Sequence, residues 1–147
     1  MQLPEYVTRD EVKRVCRELN IRDWTALDNT AVLMDDARAI LAELDVGGMK
    51  VDPEEFRRGL EVELEHGTMF AAANVTNNHP ILTGKIVLAH FKESLDYYRR
   101  LDVAELEGDL LKALVAGKQE KLAALYKRLI AARQAVSKTE SEQTVGL

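Results

Sequence analysis

The stretch from Asp52 to Gly67, DPEEFRRGLEVELEHG, constrains the fold more than any other. Asp52 suits a helix N-cap, because its carboxylate can accept from the N–H groups that a first turn leaves open. Glu55, three residues on, completes a capping box. Pro53 stands at the first helical position, where its missing N–H is not needed and its fixed φ is already helical. Phe56, Leu60 and Leu64 then recur every four residues and share one side of a helix. Glu63 falls inside that apolar arc and His66 at its edge, while Glu61 and Glu65 point outward. A helix with one apolar stripe must bury it against other elements.

The rest of the chain supplies such elements. Thr8 and Glu11 cap a first helix, and Val12, Val15, Cys16 and Leu19 form its stripe. Asn20 suits a left-handed stop. Trp24 follows in a connection and plugs the edge of the core. A second helix, from about Thr30 to Leu44, carries Leu33, Ala37, Ile40, Leu41 and Leu44 and ends at Gly47 and Gly48. Residues 68–79 read as a loop with His79 as a loop histidine. A fourth helix is expected from Pro80 to about Leu101, with Thr83, Ile86, Val87, His90, Ser94, Tyr97 and Leu101 on one face. Asp102 and Glu105 then cap a fifth. Val103, Leu106, Leu110 and Leu114, followed by Leu122, Leu125, Leu129 and Ala132, predict either one long helix or two hinged near Gly117. Ser137 to Gln143 is polar and patternless and reads as a flexible leash. The expected fold is all-α: a small bundle of five to six helices with a long C-terminal helix or helical hairpin and a flexible tail. Residues 1–136 form a single helical domain, and 137–147 a linker.

Composition narrows the function classes. With 20 basic and 25 acidic residues the net charge is −5, so the chain lacks the basic surface that phosphate neutralisation needs, and no nucleic acid is expected as partner. No apolar run is long enough to span a bilayer, and the start of the chain has no signal-peptide pattern. The lone Cys16 excludes an intrachain disulfide and reads as a buried small hydrophobe. The expectation is a cytoplasmic protein. Gly-rich phosphate loops, a G-x-S-x-G elbow and a Cys–His nucleophile pattern are all missing.

The chemistry that remains is that of histidines and carboxylates. Glu63 and His66 stand at i and i+3, a spacing that projects both side chains from one helix face and that helical dinuclear metal sites use. His90 and Glu93 give the reversed order on the next helix, which an antiparallel neighbour would bring into register. Two imidazoles and two carboxylates suit iron, manganese, zinc or cobalt. Glu61, Glu65 and Tyr97 are candidates for outer-shell or entry groups. The alternative is a structural polar cluster: His66 favoured at a helix C-terminus by its charge, and His90 bonded to Glu63 with no metal.

Three blocks, GLEVELEHG (59–67), NVTNNHP (74–80) and TGKIVLAHFKESLDYYRRL (83–101), together with the entry VDPEEF (51–56), resemble a widespread bacterial and phage family of unknown function. The resemblance covers residues 5–24 and 50–101, so the helix at 31–48 and everything after Leu101 read as additions. It implies that Glu61, Glu63, Glu65, His66, His90, Glu93 and Tyr97 belong to shared blocks, and it brings no assigned activity. His79 stands where an acidic residue is expected in that family. The tip Thr144-Val145-Gly146-Leu147 is similar to the peptides that load cargo into encapsulin shells, although the small residue and basic ending usual there are missing. That second resemblance implies an encapsulin shell protein as partner and location inside an encapsulin nanocompartment. It also implies an iron-handling, ferroxidase-like or iron-storage role, with a metal site completed in a homodimer. The competing expectation is a non-enzymatic helical adaptor or dimerisation protein.

Overall fold

Helix ends in this chain are set by short polar side chains and by residues that tolerate positive φ. The computed structural model describes residues 6–145; among them it contains six α-helices, no strand, and two short 3-10 turns. The chain divides into two compact units, residues 1–95 and 96–147.

In the first unit, α1 (Arg9–Glu18) begins where the Thr8 hydroxyl accepts from the Glu11 N–H at 3.2 Å. It ends at Asn20, φ 54°, where the N–H groups of Ile21 and Asn20 reach back to the carbonyls of Cys16 and Arg17. That is the Schellman closure that the asparagine makes possible. Only half of the expected capping box forms, because the Glu11 carboxylate turns to Arg14 instead. A 3-10 turn, Trp24–Ala26, then places the fully buried Trp24 in the core rather than at its edge. The Trp24 N–H lies 3.5 Å from Cys16 Sγ, and burial pushes that thiol's pKa up.

Helix α2 (Met34–Ala42) is shorter than its apolar pattern suggests. Asn29 Oδ1 accepts from the Ala31 N–H, and this local turn competes with helix, so residues before Met34 stay extended. Leu33, expected in the stripe, is 55% exposed, whereas Ala37 and Ile40 are wholly buried. Helix α3 (Pro53–Met69) starts as expected, with Asp52 accepting from the Glu54 N–H at 3.0 Å. Phe56, Leu60 and Leu64 are buried along its length. Helix α4 (Pro80–Glu93) packs on α3, α2 and α1, and α2 packs on α3. A Cβ at Gly84 would stand 2.7 Å from a Leu44 methyl and 3.0 Å from one of Ile40, so glycine there permits the close approach of α2 to α4.

The expected fourth helix, Pro80 to Leu101, is two helices. It stops at Glu93, Ser94 is extended (φ −160°), and α5 (Tyr97–Val115) restarts after Asp96. Asp102 and Glu105, expected as a cap, therefore lie inside α5. The start is held by Asp96, which Arg100 grips through Nε at 3.0 Å and Nη2 at 2.9 Å.

In the second unit, α5 and α6 (Gln119–Gln143) form a hairpin. Arg133 meets Glu107 at 2.6 Å, Arg100 meets Glu140 at 3.0 Å, and Arg99 donates to the Thr139 hydroxyl at 2.7 Å, an antiparallel register. Gly117, φ 68°, makes the turn, and the N–H groups of Lys118 and Gly117 close onto the carbonyls of Ala113 and Leu114. Ser137 to Gln143, expected as a leash, continue α6 instead. Thr144 and Val145 follow the helix, while Gly146 and Leu147 lie outside the described residues. No helix among the described residues is long and apolar enough to cross a membrane.

Candidate functional site

Glu63 is the centre of the first unit's polar cluster. It sits between the apolar positions Leu60 and Leu64 on α3, so its side chain is carried inward and is only 9% exposed. Its two carboxylate oxygens face different imidazoles. Oε1 lies 3.5 Å from Nε2 of His90 on α4, and Oε2 lies 3.7 Å from Nδ1 of His66, one turn along α3. His66 is 64% exposed and its Nδ1 also lies 3.1 Å from the Glu63 carbonyl oxygen. His90 is the better covered ring, at 27% exposed.

The structure thus brings together three of the four side chains singled out as ligands. Glu93 is the last residue of α4 and is exposed, next to the extended Ser94. No group of three or more His, Cys, Asp or Glu side chains among the described residues is arranged to hold a metal ion. Tyr97 belongs to the second unit, where its ring meets that of Tyr98 edge-on at 5.2 Å.

The outward carboxylates divide. Glu65 is half-buried on α3. Glu61 is tied down: its Oε1 accepts from the Val32 N–H at 3.0 Å and pairs with Arg57, which also reaches the Val32 carbonyl oxygen at 3.4 Å. This fork satisfies both backbone groups of a buried residue just before α2. Sequence reasoning missed that role, because Val32 is 29 residues away and nothing in its neighbourhood marks it as needing partners.

The loop between α3 and α4 is also built rather than loose. Asn77 and Asn78 both adopt positive φ, 49° and 60°. Asn77 Nδ2 donates to the Val7 carbonyl oxygen at 2.6 Å, and Asn78 Nδ2 to that of Trp24 at 3.4 Å. His79, expected as a loop histidine, is buried and caps α4, its Nδ1 accepting from the Leu82 N–H at 3.4 Å. Burial holds its pKa below the ordinary histidine value, partly opposed by the charge of Glu11. The run of two asparagines before His-Pro was the sequence signal for this turn.

The sequence family described as protein of unknown function (DUF5661) matches residues 12–107. No curated protein and no solved structure matches the chain. The matched span takes in residues 31–48 and runs past Leu101, so α2 and residues 102–107 of α5, read from the sequence as additions, fall within it. The match covers more than half of the chain, and the chain belongs to this family of proteins of unknown function.

Proposed function

We propose that this chain is a self-associating helical adaptor, in which the α5–α6 hairpin pairs with a second copy and the Glu63 cluster is structural. The observation that carries this reading is the apolar surface of the hairpin. Leu111, Leu114, Val115, Tyr126 and Ile130 are 41–81% exposed, and a groove of about 400 Å³ between the two helices is lined by Leu110, Leu111, Leu114, Leu122, Ala123 and Tyr126. Two helices present apolar side chains on more sides than one seam can cover, and a second hairpin laid across them makes a four-helix bundle. Charge favours a second copy as the occupant. Residues 102–109 of α5 carry Asp102, Glu105, Glu107 and Asp109, while residues 121–138 of α6 carry only basic charges, Lys121, Lys127, Arg128, Arg133 and Lys138. A two-fold pairing would add contacts between these stretches across copies to the Glu107–Arg133 pair made within each hairpin. Light scattering on the full chain should give a dimer, and Leu111→Glu with Leu114→Glu should give a folded monomer. A wild-type protein that stays monomeric at every concentration sinks this reading.

The position of Glu63 between two imidazoles favours a second reading. In it, Glu63, His66, His90 and Glu93 bind iron, oxidise Fe(II) at a site completed by a symmetric partner, and reach an encapsulin shell through Thr144 to Leu147. Manganese or zinc would suit the same donors. Fe(II) loaded anaerobically should then bind to the wild type and be lost in a Glu63→Ala/His90→Ala variant. A fluorescent reporter carrying residues 135–147 should copurify with a shell protein. Equal metal content in the two proteins ends the iron reading, and a reporter that stays free ends the cargo reading.

A further inference from the structure

The loop that joins α3 to α4 covers a cavity of about 230 Å³ in the first unit. Its lining is mixed: Leu64, Val75 and Ile86 are apolar, Glu63, Asn74 and Thr83 present oxygen atoms, and the His66 ring and Thr76 stand at the cavity as well. The Asn74 amide places Nδ2 on the Gly67 carbonyl oxygen at 3.3 Å, which turns Oδ1 away from that bond. This Oδ1 is buried and has no hydrogen-bond partner among the described residues. Thr83 spends its hydroxyl proton on the His79 carbonyl oxygen at 3.0 Å, so it too offers only lone pairs. The Glu63 carboxylate, whose oxygens also face His90 and His66, adds lone pairs beyond those two contacts and, when ionised, the negative charge.

Gly67 lets the loop close this far. A Cβ there would stand 1.7 Å from Asn78 Oδ1 and 3.1 Å from Asn74 Cγ. The loop amides therefore lie directly on the α3 backbone, and left-handed Asn77 and Asn78 hold them there.

We propose that this cavity binds a short primary alkylammonium group. The ammonium brings three donors and a positive charge to the acceptors Asn74 Oδ1, Thr83 Oγ1 and the Glu63 carboxylate, and its aliphatic stem lies along Leu64, Val75 and Ile86. An anion would face the Glu63 carboxylate. An apolar molecule would leave Asn74 Oδ1 unsatisfied. The volume equals about eight water molecules' share of liquid, which suits a chain of a few carbons and is too small for a nucleotide. A free amine and a lysine side chain of another protein share this chemistry. The inference depends on neither reading of the protein's function given above.

The test is a titration of the full chain in a metal chelator, followed by NMR at the Asn74 side-chain amide and the Gly67 N–H. The probe is n-butylammonium chloride, against tetramethylammonium chloride, which has no N–H donor, and n-butanol, which has no charge. We expect saturable shifts with butylammonium alone, weakened about tenfold or more by Glu63→Gln and by Asn74→Leu. Circular dichroism checks that each variant is folded, and either one suffices. A lysine with both ends blocked separates the sources: binding equal to butylammonium assigns a protein side chain, and binding of butylammonium alone assigns a free amine. The proposal is overturned by the lack of saturation, by tetramethylammonium binding as well, or by unchanged affinity in a folded Asn74→Leu chain.

Discussion

At position 79 an imidazole does what a hydroxyl, carboxylate or amide ordinarily does at a helix N-cap. Only the neutral ring can do it, since the Leu82 N–H needs the Nδ1 lone pair. Burial favours that neutral form, Arg14 and Lys85 add to the effect, and Glu11 opposes it. The folded-state pKa is depressed, so the unfolded chain takes up the proton first as pH falls. This stabilisation is full above the ordinary histidine value, about 6.5, and is lost as pH drops through the folded value. Urea unfolding at pH 7 and pH 5 should show the decline in wild type. A His79→Asn variant, which keeps an uncharged cap, should lack that part of it. Glu61 makes a second prediction at this scale. Truncating Glu61→Ala leaves the Val32 N–H buried without its acceptor and should cost about 1–3 kcal/mol in urea unfolding. Neither role was open to a reading of helix periodicity. A wheel separates inward from outward positions, but it cannot name a partner on another segment.

At the scale of elements, propensity and capping located the helices well and their ends less well. Asp52-Pro53 and Asn20 were readable because a helix end is settled by a few adjacent residues, whereas at Gly117 the sequence allowed either a continuous helix or a hinge and the structure chose the turn. The break at Ser94 to Asp96 was hidden, because the apolar spacing runs through it into α5. Ser94 and Asp96 favour local hydrogen bonds over helix, and the Arg100 grip on Asp96 fixes where the next helix starts. Ser137 to Gln143 erred the other way: polar and patternless, they still extend α6, with the Ser141 and Thr144 hydroxyls bonding to carbonyls in the preceding turn. Gly117 gives the test at this level. A Cβ there meets nothing within 4 Å, so Gly117→Ala carries only the left-handed strain, about 1–2 kcal/mol. Chemical denaturation should report that loss, and Gly117→Asn should recover part of it.

For the whole molecule, the proposed self-association through the hairpin would make stability depend on concentration. The Tm of the wild type should rise with protein concentration, and that of the Leu111→Glu/Leu114→Glu variant should not. If acidic and basic stretches steer the pairing, salt should weaken the dimer as well. A Tm independent of concentration across the accessible range would contradict the dimer from a second direction.

The sequence by itself determined that the chain is helical, which side of its helices is apolar, and that Glu63 and His66 share one face of α3. Those properties depend on contacts three or four residues apart and on residue types, and both are present in the sequence. It was the packing of α4 on α3 that carried His90 to Glu63. Tertiary structure decided what each polar group does. It gave Glu61 to Val32, set His79 on the end of α4, left Glu93 exposed, and folded two asparagines over Gly67 to enclose a cavity. The reason is physical: a buried polar group is satisfied by whichever segment the fold brings to it, and that segment stands far away in the chain.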